Sequence, residues 1–165
     1  PNFKDPLKGG EYILKLADRL IDENVKIIIL GFNGDKNQLP SNIIPISHVK
    51  NQVQLSQYYS MSDVVVLTSK RETFSMICAE SLCCGTPVVG FKSGGPESIA
   101  LNKYTEFVQF GNMEELVKVT LTWIHKKNEI EKELSEKAIF KYSREHMFRE
   151  YLDIYTNFDS IMENK

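Results

Sequence analysis

At 165 residues the chain reads as one domain, long enough to bury a proper core. It is 42% hydrophobic and 25% charged with a formal net charge of -2, an ordinary composition for a soluble globular protein that offers no case for a nucleic-acid partner. No apolar run approaches the roughly 20 residues that span a bilayer, no basic block calls for an anionic membrane, and Pro1 as the opening residue reads as a cut from something longer.

After an irregular start (Pro1 to Leu7), Lys8-Gly9-Gly10 opens a helix to about Asp22, with Ile13, Leu14, Leu16, Ala17, Leu20 and Ile21 on its apolar side. Val25 to Leu30 is a buried strand ending in Gly31-Phe32-Asn33-Gly34. A short strand, Ile43 to Ser47, leads into His48-Val49-Lys50, and a helix follows from about Gln52 to Met61. Val64 to Leu67 and Val88 to Phe91 are apolar without period-two alternation, as strands covered on both faces are. Between them lie a polar loop, an apolar helix (Met76 to Cys84) and a Gly-Thr-Pro turn. Gly94-Gly95-Pro96-Glu97 opens one helical turn with Pro96 near its start. Glu106 to Phe110 is the last strand. From Asn112, an N-cap candidate, the chain is helical to its end, with breaks near Lys127 and Tyr142. The mixed-charge run Lys126 to Lys137 is a solvated face. Strands alternating with helices imply an α/β fold, a Rossmann-like doubly wound parallel sheet with helices on both faces.

Two acids stand out. Glu80 is the one carboxylate in the Met76 to Cys84 helix, and an ionised group in a buried helix is costly unless something pairs with it. Glu72 precedes it by eight positions, in a loop past the carboxyl end of a strand, where ligands bind in open α/β sheets. Several chemistries are set aside. There is no Gly-x-Gly-x-x-Gly after a strand, no phosphate loop and no Asp-x-Asp. No His/Cys/carboxylate cluster has metal-ligand spacing, so no metal is assigned. Cys78, Cys83 and Cys84 read as reduced buried thiols, His125 and His146 as surface residues, and Ser75 lacks His/Asp partners for a nucleophile. What remains is a site for a diphosphate and a sugar. Helix N-termini after Lys8 and after Phe74-Ser75 offer N–H groups and partial positive charge to an anion, and carboxylates accept hydrogen bonds from vicinal hydroxyls. The alternatives stay open: Lys8 as a plain surface lysine, Glu72 as a charge on a helix dipole, and Glu80 paired with a buried Arg or Lys.

In these residues the sequence resembles the C-terminal domain of GT-B glycosyltransferases, in particular the retaining family 4, whose mark is Glu-x7-Glu. Here that is Glu72-Thr-Phe-Ser-Met-Ile-Cys-Ala-Glu80, followed by Ser-Leu-Cys-Cys-Gly-Thr-Pro-Val-Val. The Lys8-Gly9 opening, the Gly31 turn, Tyr59 with Ser62-Asp63, and the loop Gly94-Gly95-Pro96-Glu97 match in order, so the likeness runs from about Lys8 to Phe110. The resemblance implies a UDP- or GDP-sugar donor site with no cofactor and no metal. Lys8 would hold the diphosphate and Glu72 the donor sugar's hydroxyls, these two being the catalytic pair. Backbone N–H groups of Phe74, Ser75, Met76 and Ile77 would face sugar and phosphate, Glu80 would take the ribose hydroxyls, His48, Val49 and Lys50 would flank the base, and the turn at Gly31 would leave room for the nucleotide.

The resemblance carries departures. Asn2 stands where the family has a phosphate-binding Arg, and Ser75 where it has Gly. The family's first, central strand would precede Pro1 and is missing from the chain, as is the N-terminal domain that supplies the acceptor site and a catalytic histidine. The expectation is a donor half that binds nucleotide weakly and transfers nothing alone. Its parent would be a cytoplasmic hexosyltransferase of polysaccharide or lipid-linked glycan assembly, with a glycan or lipid-linked acceptor and peripheral association at the inner membrane face allowed. Two other readings are a nucleotide-sugar 2-epimerase relative and a non-catalytic α/β interaction module. A cationic partner on Glu80 favours the module.

Overall fold

Helices and strands alternate along residues 5–126 and 133–157, the part of the chain that the computed structural model describes. In order these are α1 (Gly10–Arg19), β1 (Ile27–Leu30), β2 (Ile43–Ile46), α2 (Gln52–Met61), β3 (Val65–Leu67), α3 (Met76–Cys83), β4 (Val88–Phe91), α4 (Gly95–Ile99), β5 (Thr105–Val108), α5 (Met113–His125), α6 (Glu133–Tyr142) and α7 (Arg144–Thr156). Every strand pair is parallel: β1 with β2 from Ile27↔Ile43 to Leu30↔Ile46, and β4 between β3 and β5. This is the expected α/β architecture. It departs from one continuous sheet, because β1-β2 and β3-β4-β5 are separate ladders among the described residues.

Strand β4 shows why the sequence forms layers. All four of its residues are buried, and alternate strand residues point to opposite faces. Val89 and Phe91 enter a cluster with Leu16 and Leu20 of α1 and Leu116, Val119 and Trp123 of α5. Val88 enters another with Cys78 and Leu82 of α3 and Leu134 and Ala138 of α6. Helices therefore cover both faces, as the unalternating apolar run predicts. The first cluster also takes in Val25, Ile27, Val64 and Val66, so side-chain packing joins the two ladders where backbone hydrogen bonds do not.

The ends of elements differ from the sequence reading for local reasons. Helix α1 stops at Arg19 and not Asp22, since Leu20 at φ -102° and ψ 10° leaves the helical region and the chain turns on through Asn24 at φ 51°. The last strand is Thr105–Val108 and not Glu106 to Phe110. Phe110 leaves the ladder to pack edge-on against Tyr12 and Phe91, at 5.3 and 5.2 Å between ring centres. Asn112 caps α5 by accepting from the Glu115 N–H at 3.2 Å, and Trp123 donates its ring N–H to Glu106 at 3.0 Å. The expected break near Lys127 lies outside the described residues, as does part of the run from Lys126 to Lys137. The break near Tyr142 is present, with Ser143 capping α7. Helix α6 is fixed by Ser135 Oγ donating to the Cys83 carbonyl and Tyr142 Oη to that of Ile99, each at 2.6 Å. Helix α7 buries none of its residues. Among the described residues no helix is long and apolar enough to cross a membrane.

Candidate functional site

Because the strands of each ladder are parallel, the loops that leave them gather at one edge of each sheet; Gly31, His48, Val49, Lys50, Glu72, Phe74 and Ser75 lie on such loops, Lys8 just before α1, and Met76, Ile77 and Glu80 in α3. Lys8 arrives there through its backbone. The Lys70 N–H donates to the Leu7 carbonyl at 2.9 Å, and Thr68 Oγ1 reaches the Lys8 carbonyl at 3.4 Å. Gly9 caps α1 in the left-handed region, φ 66°, pressed against the Thr68 carbonyl. Only glycine tolerates both conditions without strain, which explains Lys8-Gly9 as a unit.

Glu72 is held from the other side. Its N–H donates to the Ser93 carbonyl at 3.0 Å, and its carbonyl accepts from the Gly95 N–H at 2.9 Å. The loop after β3 is thereby tied to the loop after β4. Glu97 fixes the latter, accepting from the Ser93 and Gly94 N–H groups at 2.7 and 2.9 Å. The two predicted catalytic residues then meet: Lys8 Nζ lies 3.2 Å from Glu72 Oε1, with their side chains 50% and 20% exposed. An exposed pair of this kind adds little to stability. Its interest is that a cation and a carboxylate from residues 64 positions apart converge at a solvent-open place.

Helix α3 begins beside them. Its first intrahelical bonds run from Cys78 and Ala79 to Ser75, so the N–H groups of Met76 and Ile77 precede the helical ladder and remain for an outside acceptor. Phe74, Met76 and Ile77 are exposed apolar side chains around that terminus. Ser75 is buried and adopts φ 71°, and its Oγ accepts from the Cys78 N–H at 3.4 Å. The left-handed backbone gives the resemblance's glycine at this place a physical reason. Ser75→Gly is expected to raise stability by roughly 0.5–1.5 kcal/mol, since relief of a strain of about 1–2 kcal/mol exceeds the few tenths lost at the cap. The urea midpoint measures it, and a fall would mean that the hydroxyl cap outweighs the strain.

Sequence reading places Glu80 in a wholly buried helix; the structure corrects this. Helix α3 exposes Met76 and Ile77 outward, and Glu80 is only partly buried. The carboxylate has no cationic partner among the described residues. It accepts instead from the hydroxyl of Tyr59 on α2, Tyr59 Oη to Glu80 Oε2 at 3.0 Å. Burial, then the hydrogen bond and charge of Glu80, push the Tyr59 phenol well above its ordinary pKa, so it stays a neutral donor. The partner foreseen for a structural Glu80, a Lys or Arg, is absent from this contact.

The Gly31 turn and the segment toward the base are also adjacent. Gly31, at φ 76°, and Phe32 both donate backbone N–H groups to the Ile46 carbonyl, at 2.8 and 3.1 Å. That places the turn against the end of β2, just before His48 and Lys50, which are exposed, and Val49, which is partly so. Asn2 lies outside the described residues.

Two features of the site carry no sequence signal, the contact of Tyr59 with Glu80 and the Ser93 hydroxyl. Tyr59 sits 21 positions from Glu80 in a helix of weak amphipathic pattern. Ser93 presents a buried hydroxyl with no partner among the described residues, beside the Glu72 backbone. The cysteines are free thiols. Burial raises all three, Cys78 to about 12, which leaves no activated nucleophile among them. A hollow at the start of α5 is lined by Asn112, Glu114, Glu115 and Lys118, none of them a sequence-predicted site residue.

Residues 5–140 match the family model described as glycosyl transferases group 1. D-inositol 3-phosphate glycosyltransferase from Xylanimonas cellulosilytica is 28% identical over 108 residues, covering 58% of this chain and 26% of that protein. Sucrose-phosphate synthase from Thermosynechococcus elongatus superposes with a TM-score of 0.76 at 17% identity, over 95% of this chain and 44% of that one. The Anabaena protein HepE, solved in complex with UDP, gives 0.68 at 21% identity over 94% and 46%. These structural likenesses show the fold, and the chain spans less than half the length of each of these relatives. With the family model covering most of the residues, the chain belongs to the group 1 glycosyl transferases, of GT-B type.

Proposed function

We propose that this chain is the donor-binding half of a retaining glycosyltransferase that uses a UDP- or GDP-sugar and needs no metal. The observation that carries the reading is the meeting of Lys8 and Glu72 beside the open N-terminus of α3. An incoming diphosphate takes Lys8 and the N–H groups at Met76 and Ile77, which frees Glu72 to accept hydroxyls of the donor sugar. When the bond between anomeric carbon and diphosphate oxygen breaks, the electron pair leaves with the diphosphate. Lys8 and the helix N-terminus stabilise that charge, a field set up before the reaction begins. Glu80 accepts the ribose hydroxyls, the loop of His48, Val49 and Lys50 flanks the base, and the turn at Gly31 gives the nucleotide room. HepE being solved with UDP and also with UDP-glucose supports a nucleotide-sugar donor here. The phenolic partner of Glu80 weighs against the interaction-module reading, which needs a cation there.

In this reading the acceptor, a glycan or a lipid-linked glycan, is held by a second domain. Isothermal titration with UDP, GDP, UDP-glucose and GDP-mannose is the test. At least one is expected to bind, more weakly as salt rises, because the diphosphate contact is charged, and the chain alone is expected to transfer no sugar. Absence of binding by all four overturns the donor-site reading, and measurable transfer by the chain alone overturns its division of labour.

A further inference from the structure

We propose that Tyr59 is a positioning residue of the nucleotide site: its hydroxyl holds Glu80 by Oε2, aiming the rest of that carboxylate at a ribose hydroxyl. This rests on the reading of Glu80 as the ribose acceptor.

The geometry is specific. Tyr59 is the one buried residue of α2, 8% exposed, in a helix whose other residues are partly or fully open. Its backbone carbonyl accepts from Thr86 Oγ1 at 2.7 Å, in the turn between α3 and β4, and from the Ser62 N–H at 3.0 Å. Ser60 Oγ reaches the Cys84 carbonyl at 3.4 Å. The end of α2 is thus stitched to the end of α3, and the phenol that projects from it has a fixed origin. A glutamate has three rotatable side-chain bonds, and ordering such a side chain costs roughly 1–2 kcal/mol of rotamer entropy. The Tyr59 contact at 3.0 Å orders Glu80 before any ligand arrives.

The chemistry of the partner matters as much as its place. A lysine or arginine would neutralise Glu80 and compete with a ligand for it. A phenol donates one hydrogen and carries no charge, and a carboxylate offers about four acceptor positions, so most remain open. Donation to an ionised acceptor is also the stronger kind of hydrogen bond. The arrangement therefore leaves an oriented carboxyl acceptor with an uncharged partner, which is what a pair of vicinal ribose hydroxyls requires. If the phenol merely satisfied a half-buried acid, the bond would have no connection with the ribose.

That difference is measurable with matched ligands. UDP, GDP and their 2′-deoxy analogues are titrated into the wild-type chain and into Tyr59→Phe, which keeps the ring in its place; thermal melts of both proteins check folding. Wild type is expected to prefer the ribonucleotide by about tenfold or more. Tyr59→Phe is expected to lose roughly five- to tenfold for the ribonucleotide and less than about twofold for the deoxy analogue, so that discrimination collapses. Equal losses for both ligands, or none for either, would overturn the positioning role while leaving the donor site standing. Wild type that binds neither nucleotide would overturn the donor reading and this inference with it. Should Tyr59→Phe melt too low to titrate, Thr86→Val, which removes the tie between the Tyr59 carbonyl and the turn after α3 and keeps the phenol, is expected to narrow the same discrimination; full discrimination in that variant counts against the inference.

Discussion

Gly9→Ala is expected to remove about 2–5 kcal/mol of stability, a large part of the roughly 5–15 kcal/mol that a domain possesses. A Cβ built there falls 2.0 Å from the Thr68 carbonyl oxygen and 2.6 Å from its carbon, both backbone atoms that do not swing aside. Overpacking of this kind costs about 1–3 kcal/mol, and alanine at φ 66° adds about 1–2 kcal/mol for the left-handed backbone. Gly85→Ala is the matched control. It too has positive φ, 78°, yet its Cβ meets nothing nearer than Ser135 Cβ at 3.9 Å, so only the backbone strain of about 1–2 kcal/mol remains. Urea unfolding of the two variants separates the effects, and equal losses would refute the close approach of α1 to the end of β3. Since that approach carries Lys8, nucleotide binding should fall with it.

The second large effect is on binding. Glu80→Gln keeps an oxygen for the Tyr59 hydroxyl and nearly the same shape, so the melting temperature should stay close to wild type. What disappears is the charge. A hydrogen bond to a charged group is worth about 1.5–3 kcal/mol, so the dissociation constant for UDP or GDP should rise by about 10- to 150-fold. Titration calorimetry reads this directly. A change below about twofold in a folded variant would remove Glu80 from the ribose and leave its bond to Tyr59 as a matter of packing alone.

How much of this was legible in the amino-acid order depends on whether the information was local. Val88–Phe91 declared itself by four successive apolar residues, and its two-sided burial follows. Gln52–Met61 was bounded correctly, and in the structure Asn51 caps it by accepting from the Gln54 N–H. The Lys8, Glu72 and Glu80 neighbourhoods were legible through their spacing and through the resemblance. Other features depend on tertiary contacts that no window contains. Which face of α2 meets α3 is not written in its weak periodicity, so the Tyr59–Glu80 bond was invisible. Phe110 looked like strand because it is aromatic and follows Val108, but two rings drew it off the ladder. The reversal at Asn24 and the left-handed Ser75 were missed because residues other than glycine seldom visit that region. The turns Lys36–Gln38 and Asn102–Tyr104 are too short to show a period.

The edge-on contacts of Tyr12 with Phe91 and Phe110 have a consequence for the price of ligand capture. Tyr12 stands in the first turn of α1, and its ring lies 5.0 Å from that of Phe91, at the centre of the β3-β4-β5 sheet. Those rings clamp the start of the helix four positions beyond Lys8, so the backbone that carries its ammonium is set when the chain folds. Under the proposed donor reading, a diphosphate that docked there would spend little of its binding energy on ordering that backbone.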